Sequence, residues 1–173
     1  MRRSDFLKLV GMSEEAFDMA RARKLLPWRG RVMGRGWQDF SVDDALAVEA
    51  AAALSRQGVK KADAREIVDL YFDVALERAA EQRPARSTTV LLGVVSCVGL
   101  TNGMPAHDGQ FPLVGSPADV AEELARIGDI LGADRWLDGV ITINLNLCAK
   151  IVSVRAAAAG MEELRLVELA ELL

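Results

Sequence analysis

The sequence predicts an α+β protein, with an all-α N-terminal head followed by a small α/β C-terminal domain. Three observations lead there. Up to about residue 81, helix-start signals recur ahead of alanine- and leucine-rich runs at helical spacing. A short linker-like stretch, "QRPARS" (82–87), then interrupts the pattern. Beyond it the texture becomes β-branched and continuously apolar in "TTVLLGVVSCVG" (88–99). These place the domains at 1–83 and 84–173.

In the head, Ser4 is placed to cap a short helix "DFLKLV" that Gly11 ends, and Ser13 to cap a second, "EEAFDMARARKLL", stopped by Pro27. Two short helices separated by a "GMS" turn read as helix-turn-helix, with Val10, Met12, Phe17, Ala20 and Leu25 as the core between them. Next comes "RGRVMGRGWQDF", in which Gly30, Gly34 and Gly36 break any helix while Val32 and Trp37 supply packing; a two-stranded wing fits. "SVDD" from Ser41 has capping-box form, with Asp44 able to reach back to the Ser41 amide. The alanine-rich run after it extends to Gln57, with Gly58 as its terminator. A fourth helix is expected from about Lys61 to Glu81, on a stripe of Ile67, Leu70, Tyr71, Val74 and Ala75.

In the C-terminal part, the apolar run suits a strand buried on both faces, and "TNGMPAHDGQFPLVG" (101–115) reads as a long glycine- and proline-rich loop. "SPADVAEELARIGDILG" has Ser116 as cap, Pro117 at the first helical position and Asp119 completing the box, with Val120, Leu124, Ile127 and Leu131 on one stripe. "VITIN" is a second strand. "LNLCAKIVSVRAAAAG" is read as a helix with Asn144 as cap, although β-branched Ile151, Val152 and Val154 argue for continued strand. The tail "MEELRLVELAELL" looks helical. The result is a β-loop-α-β unit.

The chain carries a net charge of -4, unevenly spread: residues 1–86 sum to +2 and the remainder to -6, with +4 in the first 40 alone. Such asymmetry suits an anion-binding head on an acidic body. The longest apolar run is broken by Ser96 and falls short of the roughly 20 residues that span a bilayer. Asp5 and Lys8 interrupt any signal-peptide core, so a cytoplasmic location without membrane partners is expected. The two cysteines, Cys97 and Cys148, lie in apolar stretches without further ligands at metal spacing and read as reduced core thiols, so no metal site is expected. A single histidine and the lack of nucleophile-elbow or phosphate-loop signatures leave no catalytic constellation; neither enzymatic activity nor a cofactor is expected.

Over residues 6–69, three segments in register carry a family resemblance: "FLKLVGMSEEAFDMARARKLLP", "GWQDFSVDDAL" and "LSRQGVKKADAREI". This part resembles the winged-helix DNA-binding domain of the MerR superfamily. The resemblance implies a sequence-specific transcriptional regulator that binds double-stranded DNA, as a homodimer on inverted half-sites. The family's clamps carry over in part, since Asp18 and Met19 stand where an arginine and a tyrosine are usual, and Gln38 where an arginine follows the wing aromatic. Positive charge lies nearby instead. The expected DNA-binding residues are Ser13, Glu15, Arg21, Arg23, Lys24, Arg29, Arg31, Arg35 and Trp37. Of these, Glu15 is suited to accept from cytosine and Arg21 to pair with guanine. Trp37 and Phe40 suit anchoring of the wing better than contact with DNA.

Regulators of this kind join such a head to an effector domain, and the 101–115 loop, lying between a strand end and a helix start, is where open α/β folds take ligands. Asn102, His107 and Asp108 are therefore the candidate ligand-binding residues for a small-molecule or protein effector, a plain connector or dimer contact being the alternative. No sustained heptad follows the fourth helix, so dimerisation would use that helix with the C-terminal domain. Two other readings remain: an interaction module that has lost DNA binding, and a DNA-binding accessory factor of a phage or mobile element.

Overall fold

The structure is a computed structural model that describes residues 1–27, 32–33, 37–81, 89–101, 104–131 and 135–161. The described elements are α1 (Arg3–Val10), α2 (Glu14–Ala22), β1 (Val32–Met33), β2 (Trp37–Gln38), α3 (Val42–Arg56), α4 (Lys61–Glu81), β3 (Leu91–Thr101), β4 (Met104–Gly115), α5 (Pro117–Leu131), β5 (Arg135–Asn144) and α6 (Leu145–Ala158). Helix and antiparallel sheet together make the protein α+β. Among the described residues, no helix is long and apolar enough to cross a membrane.

Two compact units result, and their boundary differs from a division at residues 83 and 84. The first gathers Met1–Leu70 and α6, the last described helix; the second is Tyr71–Asn144, and the tail expected to be helical from Met161 onward lies, after Met161, outside the described residues. α6 packs on α1 and α3. Its buried residues Leu145, Cys148, Ala149, Val152 and Ala156 recur at helical spacing, and that continuous stripe outweighs the β-branched residues, of which Val154 is exposed. α3 is buried nearly all round, and its alanines Ala45, Ala47, Ala50 and Ala51 let neighbouring helices approach closely. Phe6, Phe17 and Phe40 form the aromatic centre, Phe6 stacked on Phe40 at 4.4 Å and edge-on to Phe17 at 5.8 Å. Phe40 is thus a buried anchor of the segment entering α3.

Several local expectations hold in this unit. Gly11, at φ 65°, closes α1 by donating to the Leu7 and Lys8 carbonyls, and Ser13 caps α2. The Ser41–Asp44 capping box is present in both directions, and β1 pairs antiparallel with β2 in the register Val32↔Gln38 and Met33↔Trp37. Two boundaries differ. Ser4 lies inside α1, whose N-cap is Arg2 with no side-chain cap. α2 ends at Ala22 because Lys24 takes φ 53°, with its amide bonded to the Arg21 carbonyl and that of Leu25 to Ala20, a left-handed helix stop built without glycine. On α4 the buried face is Ala64, Ile67, Val68, Phe72 and Ala75; Leu70 and Val74 point to solvent, so the apolar stripe sits one residue off the expected one.

The second unit is an antiparallel sheet in the order β4-β3-β5, with α5 packed on it. This corrects the expected α/β arrangement, because each neighbouring strand pair is antiparallel. Since β4 and β5 both oppose β3, the β4–α5–β5 connection joins two parallel strands separated by β3. The expected 101–115 loop is also corrected: residues 104–115 are strand β4, paired with β3 along its length. Pro105 and Pro112 are compatible with it because β4 is an edge strand, where a missing amide leaves no ladder bond unmade on the open side. α5 has its capping box, the Ser116 amide donating to Asp119 Oδ2 at 2.8 Å and the Asp119 amide to Ser116 Oγ at 3.2 Å. Its Val120, Ile127 and Leu131 pack with Val95, Cys97 and Leu113, Leu124 lying against the same cluster. Leu92 and Val94 are buried too, so β3 is covered on both faces as its continuous apolar sequence requires.

Candidate functional site

The turn between α1 and α2 is held by backbone and cap chemistry. After Gly11, the Met12 amide donates to the Leu7 carbonyl at 3.1 Å, and Ser13 Oγ then accepts from the Ala16 amide at 3.2 Å. Phe17, fully buried, fixes one face of α2 to the aromatic centre. Glu14, Glu15, Asp18, Met19, Arg21 and Ala22 are exposed around the rest of the helix, followed by exposed Arg23 and Lys24 beyond its end. Five of the expected DNA-binding residues, Ser13, Glu15, Arg21, Arg23 and Lys24, therefore lie on α2, its caps and the residue that follows. Ser13 accepts the cap bond with one lone pair, and its hydroxyl keeps its donor and a second lone pair for a ligand.

Asp18 has a partner in the fold. Arg3 Nη2 donates to Asp18 Oδ1 at 2.7 Å, and the same guanidinium lies over the Phe17 ring at 5.3 Å. Asp18 therefore adds little net negative potential to the face of α2. Lys24 is positioned from the other side, its carbonyl accepting from Arg65 Nη1 at 3.2 Å while Arg65 Nε pairs with Asp69 at 2.7 Å.

Arg29, Arg31 and Arg35 lie outside the described residues. Trp37 is placed in β2 opposite Met33, and its side chain is outside what is described. The candidate effector residues are not gathered in a loop. Asn102 lies outside the described residues, His107 is a β4 position opposite Val98, and Asp108 is the extra residue of a bulge between the Cys97↔Gly109 and Val98↔His107 pairs. A second bulge on β5, between the Ser96↔Gly139 and Cys97↔Leu137 pairs, leaves Asp138 as its extra residue.

Three further features arise from tertiary contacts. In the helical unit, Glu49 is 2 % exposed and accepts from Arg56 at 2.7 Å and Arg155 at 2.6 Å. Burial next to this carboxylate pushes the Cys148 thiol up to about 12. Beside the same ion pairs lies an apolar cleft of about 380 Å³ between the Leu25–Pro27 segment and α3. In the sheet unit a more polar groove of about 490 Å³ lies along Tyr71, Arg78, Val114 and Glu123, where Arg78 Nη1 donates to the Val114 carbonyl at 3.3 Å. The Arg126 guanidinium there, by hydrogen bonding, holds the Glu123 carboxyl below its ordinary range. Neither Cys97 nor Cys148 is part of a disulfide, and both are buried.

Comparison with protein-family models, with curated proteins and with solved structures found no match for this chain.

Proposed function

We propose that the chain is a sequence-specific DNA-binding regulator of MerR-like type, acting as a homodimer on inverted half-sites. The observation that carries this reading is the exposed cationic end of α2. Arg21, Arg23 and Lys24 stand together there, immediately before the segment that bears Arg29, Arg31 and Arg35. The capped helix-turn-helix and the β1–β2 hairpin supply the rigid frame such contacts need. In this reading Arg21 and Glu15 face base edges, the wing arginines lie on the phosphate backbone, and residues 71–144 serve assembly or sensing. The reading assigns no catalytic step.

The test is anisotropy of a fluorescent random duplex titrated with protein at rising salt. Each engaged phosphate steepens the log–log salt dependence by about 0.9. Replacing Arg29, Arg31 and Arg35 by alanine should weaken binding to all sequences alike, since phosphate contacts carry no base information. No anisotropy change at low salt would leave the second reading, an interaction module on the same frame. That reading is favoured by Met19, half exposed on the face of α2 where a polar contact residue is expected. Footprinting on genomic DNA separates a promoter regulator from an accessory factor of a phage or mobile element.

A further inference from the structure

We propose that the apolar cleft of the helical unit is a binding site for an amphipathic organic anion, an aryl or alkyl chain ending in a carboxylate or sulfonate. One wall comes from Leu25, Leu26 and Pro27, beyond the left-handed stop of α2; the facing wall comes from Val48 and Ala52 on α3. Small side chains on α3, Ala51 and Ala52, leave the space open on that side. The volume, about 380 Å³, is in the range of small-molecule sites, and a mostly apolar lining with a few polar groups is their usual chemistry.

The polar part of the lining is confined to one end, where α3 gives way to α4: Ser55, Arg56 and Lys61. Arg56 and Lys61 are exposed cations. Glu49 does not cancel them, because one carboxylate is shared between Arg56 and Arg155, leaving that triad with a net positive charge beside the positive Lys61. An apolar chamber with cationic charge at one end selects an apolar body with an anionic head, and selects against a neutral or cationic one. The cleft also touches Ala20 of α2 and Met12 of the turn, so an occupant would bear directly on the helix-turn-helix. The inference stands on the cleft alone and does not depend on DNA binding.

The experiment uses the intact chain without DNA and two fluorescent probes of similar shape, anionic 8-anilinonaphthalene-1-sulfonate and neutral N-phenyl-1-naphthylamine. Saturable one-to-one binding of the sulfonate is expected, with decanoate displacing it. Lys61→Gln, an exposed substitution, should weaken the sulfonate about five-fold at low salt and leave the neutral probe unchanged. Ala52→Phe should abolish binding of both. Retention of native circular dichroism and a cooperative melt establishes that this variant is folded; if it is not, Lys61→Glu replaces it, with an expected loss of the sulfonate greater than that of Lys61→Gln. Non-saturable binding, equal effects of Lys61→Gln on both probes, or undiminished binding by folded Ala52→Phe would overturn the proposal. So would loss of the signal as protein concentration rises, which would assign the cleft to a second copy of the chain. Failure here leaves the DNA-binding reading intact, and failure of DNA binding leaves this site intact.

Discussion

Arg155 Nη1 donates to Glu49 Oε2 at 2.6 Å across 106 residues of sequence, and this one guanidinium nitrogen also reaches the Leu9 carbonyl at 3.3 Å. It thereby ties α6 to both α3 and α1. Its place beside Gly11 is equally constrained, because a Cβ there would come within 3.2 Å of the guanidinium. α6 is thus held to α1 and α3 by charge as well as by its apolar stripe.

Removing Arg155 should therefore cost far more than removing Arg56. With alanine at 155, a carboxylate that is 2 % exposed keeps only a partner that is itself largely in water, and roughly 3 kcal/mol of stability should be lost. Arg56→Ala should cost about 1 kcal/mol, since Arg155 remains and the Arg56 side chain is 56 % exposed. The double variant Glu49→Met with Arg155→Met should recover most of the loss, because no charge is then left buried alone. Urea unfolding of the four proteins measures these differences. Equal losses for Arg155→Ala and Arg56→Ala would contradict the assigned geometry.

Lys24→Gly should separate stability from the proposed binding. A lysine at φ 53° pays a steric cost of about 1 kcal/mol that glycine avoids, so the variant should unfold at higher urea concentration. The same change removes one exposed cation from the end of α2. Affinity for random duplex should fall about two- to five-fold and the salt dependence should become shallower. A variant that is stabilised with unchanged duplex affinity would take Lys24 out of the interface.

Gly93 should tolerate no side chain. It pairs with Leu113 on one side and Thr142 on the other, and a Cβ would collide with the Ile141 carbonyl and come within 2.8 Å of the Thr142 Cα. Backbone cannot yield there without breaking the β3–β5 ladder. Gly93→Ala should lower stability by about 3 kcal/mol. Gly139→Ala on β5, where a Cβ meets nothing within 4 Å, should change it by less than about 0.5 kcal/mol. Thermal melts of the two variants read the contrast directly.

What was legible in the sequence was what is decided within four residues. The boxes Ser41–Asp44 and Ser116–Asp119, the glycine stop at Gly11 and the stripe of α5 are all local chemistry. The segment of β4 reads as a loop because its prolines and glycines signal a turn unless the strand is known to lie at a sheet edge, which only the pairing decides. The place of α6 depends on Glu49 and Arg155 meeting, and no window of sequence contains both. A carboxylate in the middle of an alanine-rich helix was the available hint. At the candidate site, the cations of α2 could be read from spacing, but the neutralisation of Asp18 by Arg3, 15 residues earlier, is tertiary.

Cys148 gives a test of the core by pH. Its thiol is pushed from an ordinary value of 9.0 up to about 12, first by burial and then by the Glu49 carboxylate, since both oppose a second negative charge there. Below pH 9 the thiol is protonated in both folded and unfolded chains and contributes no pH dependence. Above pH 9 the unfolded chain releases the proton while the folded chain retains it, so the folded state binds more protons and stability falls as pH rises, until the folded thiol ionises near pH 12. The slope should approach 1.4 kcal/mol per pH unit at most. Cys148→Ala should start about 1 kcal/mol less stable at pH 7 through lost packing, yet show a shallower decline between pH 9 and 11. Parallel curves for the two proteins in urea unfolding across that range would mean that the thiol is not enclosed beside Glu49 as described.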